Sequence, residues 1–193
     1  MKTIARLLPL GLFFLPACGD APALAPVRDV TVTYRVVKAI APGGPAKLVF
    51  QQTAGAAKTR IDSYIFADAR TSHEGMIVDR ETGQVSILVY ARQMAVETHP
   101  QAFAIPGITM TPDMRFQRLG NRVIAGLECT DWNVAPATGD ARTACITSDG
   151  VVLRTASAKR ELEATFVKFE PLLAGTFIPD KNLTPMVTAP TKP

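Results

Sequence analysis

The distribution of apolar residues predicts a protein built mainly from β-strands. From Val30 onward, apolar and polar side chains alternate over short runs that Gly and Pro residues interrupt. A period of two is typical of strands that bury one face of a sheet. The predicted strands cover residues 30–37, 48–50, 58–66, 75–79, 84–90, 93–98, 122–129 with an extension to 134, 142–147, 151–155 and 161–169. We therefore expect a mainly β fold with an antiparallel sheet and little helix.

Residues 122–155 contain a cysteine pair, Cys129 and Cys145, and the single tryptophan, Trp132. After Cys129 the apolar positions shift by one, which predicts a β-bulge near Thr130 or Asp131. A turn over residues 135–140 would then bring Cys145 back beside Cys129. In an unbulged register with the two cysteines opposite each other, Trp132 would lie opposite Arg142 and could stack on its guanidinium group.

The stretch from Pro100 to Pro112 lacks a clean period and includes Phe103. It is either a mobile lid over one face of the sheet or a plain connection whose apolar residues complete the core. At its end, Thr111, Pro112 and Asp113 predict the start of a short helix that continues through Leu119 and ends at Gly120.

The N-terminus predicts export. Residues 1–17 have the basic start and short apolar core of a signal peptide. Leu15-Pro16-Ala17-Cys18 resembles a bacterial lipobox, which predicts lipid attachment at Cys18; ordinary cleavage after Ala23 is the alternative. Residues 18–26 would then be a flexible tether, residues 27–179 an antiparallel β domain, and residues 180–193 a disordered, proline-rich tail.

Export determines how the cysteines and the charge are interpreted. In an oxidising compartment, Cys129 and Cys145 are expected to form a structural disulfide rather than a catalytic or metal-binding pair. Loss of Lys2 and Arg6 leaves 19 of the 21 basic residues against 17 acidic ones, a balance that does not indicate nucleic-acid binding. The expected location is the periplasm of a Gram-negative-type bacterium, with the protein anchored in the membrane as a lipoprotein.

The sequence lacks the common catalytic signatures for nucleotides, ester hydrolysis and zinc peptidases. His73 and His99 end neighbouring predicted strands and could meet at one edge with Glu74 or Glu97, but such histidines are more often solvated, and we predict no metal site. Asp62, Asp68 and Asp79 fit exposed strand ends as well as an acid–base pair. We expect no enzymatic activity and no cofactor.

Several short motifs together resemble the exported domains grouped as DUF4412. They are R-I-D-S at residues 60–63, M-I-V-D-R-E-T-G at residues 76–83, a methionine before Glu97, A-G-L-E-C-T-D-W at residues 125–132, A-C at residues 144–145 and D-G-V-V-L-R at residues 149–154. The resemblance covers residues 30–179. It implies a shape similar to the LolA/LolB/RseB group: a curved antiparallel half-barrel whose concave face can hold acyl chains.

Two functions follow from that resemblance. The first, which we favour, is a periplasmic carrier or sensor of a hydrophobic or lipid ligand, with residues 100–112 covering the concave face. The expected ligand-lining residues are Val85, Ile87, Val89, Met94, Val96, Phe103 and Phe166. The alternative is a non-catalytic structural or protein-interaction module of the cell envelope, in which the same residues form an ordinary closed core.

Overall fold

A computed structural model describes residues 21–99, 105, 108–137 and 140–187. Within these ranges, one sheet of twelve strands makes up the fold. The strands are β1 (Val30–Lys38), β2 (Lys47–Gln52), β3 (Lys58–Tyr64), β4 (Glu74–Asp79), β5 (Gln84–Val89), β6 (Met94–Thr98), β7 (Arg115–Ile124), β8 (Leu127–Ala135), β9 (Arg142–Ile146), β10 (Val152–Ala156), β11 (Glu161–Lys168) and β12 (Thr184–Val187). Short 3₁₀ segments occur at Ala54–Ala56, Tyr90–Arg92 and Ala174–Phe177.

The sheet consists of two meanders that meet at β1. Its strand order is β12-β6-β5-β4-β3-β2-β1-β11-β10-β9-β8-β7. Neighbouring strands are antiparallel except for β12, which runs parallel to β6. The predicted fold class, a curved mainly β sheet of half-barrel type, is confirmed, with the difference that the sheet is mixed rather than purely antiparallel.

Alternation along the strands separates two faces. The inner face carries the main core: Val32 of β1 lies opposite Phe50 of β2, which lies opposite Ile61 of β3. In the other meander, Leu162 of β11 and Trp132 of β8 join the same buried cluster. Because successive side chains of a strand point to opposite faces, these pairings fix which residues share the inner face and which lie on the outer one.

The predicted strand over residues 122–129 is wrong, because the chain turns within it. β7 ends at Ile124 and β8 begins at Leu127, and the two residues between them, Ala125 and Gly126, both have positive φ values, of 50° and 78°. Positive φ at both positions is typical of a two-residue hairpin turn. The turn pairs Ile124 with Leu127, so Val123, which the alternation grouped with Leu127 and Cys129, points to the opposite face and is 65% exposed.

The predicted helix after Pro112 is also wrong, since β7 occupies Arg115–Ile124. The bulge expected in β8 lies instead in β7, between Arg118 and Gly120. β7 obtains its backbone hydrogen bonds from β8, and this pairing overrides the weak local signal for a helix start.

The disulfide between Cys129 and Cys145 is confirmed, with Cα atoms 5.4 Å apart. The register differs from the expected one by two residues. Cys145 lies opposite Asp131, so the two cysteines are diagonal neighbours, and Trp132 lies opposite Ala144 rather than Arg142. Trp132 packs edge-on against Phe116, with ring centroids 6.2 Å apart.

Between β6 and β7 the structure describes Ile105 and residues 108–114, which we call the crossing segment and which lie on the inner face. Ile105, Ile108 and Met110 are buried in the main core. Thr109 Oγ1 accepts a hydrogen bond from the Ile105 backbone N–H at 2.9 Å. Of the two interpretations of this segment, the plain connection that completes the core fits these residues; residues 100–104 and 106–107 lie outside the described ranges.

The C-terminal segment differs from the predicted disordered tail. Residues from Asp180 to Val187 return to the sheet and end as β12 beside β6. Leu183 is buried with Ile77, Leu88 and Ala95, and Phe177 packs against the same cluster on the outer face. The prolines suggested disorder, but burial of these apolar side chains fixes the segment through Val187.

The predicted tether contacts the domain through residues 23–26. Leu24 packs against the main core, and the carbonyl oxygen of Pro26 accepts a hydrogen bond from the Gly55 N–H at 2.7 Å. Gly150 has a φ of +81°, and a Cβ atom there would lie 2.0 Å from the Ala25 carbonyl oxygen. Gly150 therefore permits both the turn before β10 and the close approach of this segment. The signal peptide and Cys18 lie outside the described residues.

None of the helical segments in the described ranges is long and apolar enough to cross a membrane.

Replacing both Cys129 and Cys145 with alanine is expected to lower the free energy of unfolding by roughly 3 kcal/mol, because the disulfide closes a short loop in the unfolded chain. Denaturant unfolding of the oxidised protein, the reduced protein and the double variant measures this loss. If all three unfold at the same denaturant concentration, the disulfide does not stabilise the fold.

Candidate functional site

Five apolar side chains expected to line a ligand site lie together on the inner face. They are Val85, Ile87 and Val89 of β5 and Met94 and Val96 of β6, and we call this set the apolar row. Ile87 lies opposite Val96 on one side and opposite Met76 on the other. Met76 in turn lies opposite Ile61, a residue of the main core. The apolar row is therefore the continuation of the core surface toward the β12 edge of the sheet.

Exposure differs among the members of the apolar row, of which Val89, Met94 and Val96 are partly exposed. Val85 is buried, whereas Ile87 has 43% of its surface exposed. Met186 of β12 lies beside Val96 and is 49% exposed. The row thus offers an accessible apolar surface that runs from the covered part of the inner face to its open edge. That a ligand binds on this surface stays a prediction.

Phe166 is not part of this surface, although the alternation of β11 predicted that it is. It lies opposite Thr33 on the outer face, where 55% of its surface is exposed. A register shift between β1 and β11 at Thr33 and Tyr34 reverses the side on which the later residues of β11 point. Phe103 lies outside the described residues.

A second group on the inner face contains hydrogen-bond donors without acceptors. In the described part of the chain, Trp132 Nε1 and Arg142 Nε are buried and have no hydrogen-bond partner. Trp132 lies on β8 and Arg142 on β9, as diagonal neighbours on the same face. Burial lowers the pKa of Arg142. Sequence reasoning missed this pair as a site, because it expected the two residues to satisfy each other by stacking.

A cavity of about 200 Å³ lies where the crossing segment meets the N-terminal segment. It is lined by Arg80, Thr109, residues 110–112 of the crossing segment and Leu24 among others. Arg80 Nη2 donates a hydrogen bond to Thr109 Oγ1 at 3.4 Å. This cavity separates the two segments at the end of the sheet opposite to Val89.

The outer face of β3 carries a buried ion pair. Arg60 Nε donates to Asp62 Oδ2 at 2.9 Å, and the two side chains are only 13% and 10% exposed. Arg60 Nη2 also donates to the Tyr90 hydroxyl group at 2.8 Å, and Arg60 Nη1 donates to the Thr176 carbonyl oxygen at 3.2 Å. This network ties the C-terminal segment to the sheet. Gly75 makes room for it, since a Cβ atom there would lie 2.8 Å from Asp62 Oδ1.

The network raises the pKa values of Arg60 and Tyr90. Burial alone would lower the pKa of Arg60, but the hydrogen bonds and the negative charge of Asp62 outweigh it and raise that pKa. Burial and the charge of Asp62 raise the pKa of Tyr90. Both carboxylate oxygens of Asp62 already accept hydrogen bonds, Oδ2 from Arg60 and Oδ1 from the Tyr90 hydroxyl group, so this carboxylate is poorly placed to take a proton from a substrate.

Asp68, the second candidate carboxylate, is exposed in the connection between β3 and β4, and the positions of the third, Asp79, and of the two histidines are explained by the fold. Asp79 Oδ1 accepts hydrogen bonds from the backbone N–H groups of Glu81 and Thr82 in the β4–β5 turn. Burial would raise the pKa of Asp79, but these bonds and Lys58 lower it. His73 precedes β4 and His99 follows β6. These two strands run in the same direction on either side of β5, so the histidines lie at opposite ends of the sheet. In the described ranges, no three His, Cys, Asp or Glu side chains cluster as metal ligands.

No protein-family model matches the sequence, and no curated protein matches it either. Solved structures share its fold at low sequence identity. An uncharacterized conserved protein from Thermus thermophilus is 13% identical and gives a TM-score of 0.55 over 84% of this chain and 91% of that one. MucB is 9% identical, with a TM-score of 0.53 over 80% of this chain and 58% of MucB.

Two further structures give similar values. MucB in the MucA/MucB complex of Pseudomonas aeruginosa is 10% identical, with a TM-score of 0.52 over 81% of this chain and 57% of that one. PNGF-II is 14% identical, with a TM-score of 0.50 over 83% of this chain, which spans only 32% of PNGF-II. At these identities the likeness concerns the fold alone. It supports a half-barrel fold similar to that of MucB, whereas membership of DUF4412 stays a prediction.

Replacing Asp62 with alanine is expected to lower the free energy of unfolding by about 3 kcal/mol, because Arg60 then stays buried without its carboxylate. Asp180→Ala is the matched control: Asp180 Oδ2 lies 3.4 Å from Arg60 Nη2, but its side chain is 42% exposed, and such pairs contribute at most about 1 kcal/mol. Denaturant unfolding of both variants measures the difference. Equal losses would show that the Arg60–Asp62 pair does not hold the C-terminal segment.

Proposed function

We propose that this protein is an exported, lipid-anchored periplasmic domain that binds a hydrophobic or lipid ligand on its inner face. The observation that carries the proposal is the apolar row, which is partly exposed and continuous with the core. In a folded monomer, a contiguous apolar surface of this kind is a candidate binding site, whereas isolated exposed apolar residues are common. The proposed chemistry is binding without catalysis.

The crossing segment limits how much of the inner face such a ligand can use. Ile105, Ile108 and Met110 fill the part above β1, β2 and the second meander. The apolar row lies on β5 and β6, away from this filled part. The ligand therefore rests in a shallow, one-sided site near the β12 edge rather than in a closed cavity.

The alternative is a protein-interaction module of the cell envelope. Its support is that MucB, whose fold is similar, has been solved as a complex with MucA. In that alternative, an apolar segment of a partner protein covers the apolar row. Both functions use the same surface, and the chemical nature of the bound molecule separates them.

Ile87→Asp is expected to abolish ligand binding while leaving the fold intact, because Ile87 is 43% exposed and its charged replacement can reach water. Phe166→Asp is the matched control: it puts the same charge at a similarly exposed site, 55%, on the outer face. The mature chain from Asp20 is produced in the periplasm and purified without detergent, and native mass spectrometry measures what stays bound.

The expected result is a stoichiometric apolar molecule on the wild-type protein and on Phe166→Asp, and none on Ile87→Asp. Organic extraction then identifies its class. If the wild-type protein has the mass of the bare chain, also after incubation with envelope lipids, lipid binding is wrong and the search moves to protein partners. Equal loss in both variants would exclude the inner face as the site.

Cys18→Ala is expected to prevent acylation and to move the protein from the membrane fraction to the soluble periplasmic fraction, because Cys18 is the proposed attachment site. Intact-protein mass spectrometry of the native form should show the added mass of the lipid on an N-terminal Cys18. A mature chain that begins at Leu24 would instead support ordinary signal-peptide cleavage after Ala23.

A further inference from the structure

We propose that the cavity between the crossing segment and the N-terminal segment binds a small organic carboxylate. Arg80 and Thr109 hold the carboxylate group, and the apolar wall of the cavity holds the rest of the molecule. This site is separate from the apolar row, because the cavity lies at the end of the sheet opposite to Val89. The inference therefore goes beyond the proposed function and does not rest on it.

Thr109 has a buried hydrogen-bond donor without an acceptor. The residue lines the cavity and is only 8% exposed. Its Oγ1 atom accepts hydrogen bonds from the Ile105 backbone N–H at 2.9 Å and from Arg80 Nη2 at 3.4 Å, and among the described residues it donates to none. A buried hydroxyl group normally gives its proton to an acceptor. A carboxylate oxygen in the cavity would supply that acceptor.

Arg80 places a positive charge beside this hydroxyl group. The residue lines the same cavity and is partly buried. In the described part of the chain, its guanidinium group makes one hydrogen bond, to Thr109 Oγ1, and no salt bridge. Most of its N–H donors are therefore left for a ligand. A guanidinium group binds a carboxylate through charge-assisted hydrogen bonds, which are stronger than neutral ones.

The carboxylates next to the cavity in the sequence already have partners. Asp79, which precedes Arg80, pairs with Lys58 at 3.2 Å. Asp149, which precedes Gly150 of the cavity wall, pairs with Arg28 at 2.7 Å. Neither of these carboxylates is paired with the guanidinium group that lines the cavity.

A second guanidinium group contacts Thr109. Arg142 Nη2 donates to the Thr109 carbonyl oxygen at 3.1 Å, and its other hydrogen-bond contacts are the sulfur atoms of Met110 and Met114. Within the described ranges Arg142 forms no salt bridge either, and burial lowers its pKa. Two guanidinium groups without carboxylate partners thus meet at one residue. The positive potential that they produce favours an anion in the adjacent cavity.

The remaining wall of the cavity is largely apolar, and the cavity is small. Leu24, Ile108, Met110 and Val152 contribute apolar side chains to it. Its volume of about 200 Å³ is below the range of about 300–1,000 Å³ that is typical of sites for drug-sized molecules. The cavity therefore suits a carboxylate with a short apolar chain and excludes a long acyl chain.

The test is an amide NMR titration of the mature chain with three probes: hexanoate, neutral hexanol and acetate. Hexanoate is expected to bind at least about tenfold more tightly than hexanol, a difference of about 1.4 kcal/mol, because only its carboxylate can accept charge-assisted hydrogen bonds. Acetate should bind more weakly than hexanoate, because it leaves the apolar wall uncovered. The amide signals of Gly55 and Gly150, which line the cavity, should shift with hexanoate.

Arg80→Gln is expected to remove the preference for hexanoate over hexanol, whereas Arg80→Lys keeps the positive charge and should retain part of it. The fold should persist, because the Arg80 side chain makes one long hydrogen bond, at 3.4 Å, within the described ranges. Arg92→Gln is the matched control, since Arg92 is exposed and lies between β5 and β6, at the Val89 end of the sheet. It should bind all three probes as the wild-type protein does.

Equal affinity for hexanoate and hexanol, or an unchanged preference in Arg80→Gln, overturns the carboxylate site. If Arg80→Gln does not fold, the comparison of the two probes on the wild-type protein and on Arg80→Lys decides. If acetate binds as tightly as hexanoate, the cavity takes any small anion and the apolar part of the inference is wrong.

The position of the shifted signals separates this site from the apolar row. If hexanoate shifts the signals of Ile87 and Val96 but not those of Gly55 and Gly150, it binds on the apolar row, which supports the proposed function and overturns the cavity site. If none of the three probes binds, the inference is wrong, and the proposed function, which concerns a different surface, is unaffected.

Discussion

The pairing of β1 with β11 is the interaction on which the architecture depends. It joins the first meander, which runs outward from β1 to β6, to the second, which runs outward from β11 to β7. Thr165 Oγ1 donates to the Thr33 carbonyl oxygen across this junction, 132 positions away in the sequence. Tyr34 reinforces it from the inner face, where its hydroxyl group donates to the Val152 carbonyl oxygen of β10. Without this junction the protein would be two separate curved ribbons.

The same junction explains why one part of the inner face is covered and another is accessible. The first meander ends at one edge of the sheet and the second begins at the other, so the connection from β6 to β7 must span the sheet. It takes the inner side, and its apolar residues fill the core over the central strands and the second meander. β5 and β6 lie beyond the filled region and keep their inner-face side chains partly accessible. The candidate site is thus what remains when one connection closes most of a half-barrel.

Much of the fold could be predicted from the sequence because a period of two depends only on local alternation. The strands of the first meander were predicted from such signals, and so was the common face of Val85, Ile87 and Val89. The disulfide was predicted from the expected export and the two cysteines that remain after it. The errors arise where alternation carries no information about pairing. The Ala125–Gly126 turn puts Val123 and Leu127 on opposite faces although their spacing fits one period, and the register shift opposite Thr33 moves Phe166 to the outer face.

The unpaired donors of Trp132 and Arg142 could not be predicted for a related reason. Arg142 and Trp132 were correctly seen as neighbours on adjacent strands, but a register offset of two residues decides whether they satisfy each other or stay unpaired. That offset depends on tertiary packing around Ala144 and the crossing segment. Likewise, prolines correctly mark the C-terminal segment as unsuited to a central strand, but they do not exclude an edge strand, and Leu183 provides the burial that fixes one.

The strand at that edge has a consequence for how the protein behaves among its own copies. β12 has four residues, and the second of them is Pro185, which has no N–H to offer to a further strand. At the opposite edge, β7 carries exposed Arg115, Arg118 and Arg122 and a bulge between Arg118 and Gly120. Short length, proline, like charges and bulges are features that hinder strand-to-strand association. An open sheet of twelve strands can therefore stay monomeric in a crowded compartment without closing into a barrel.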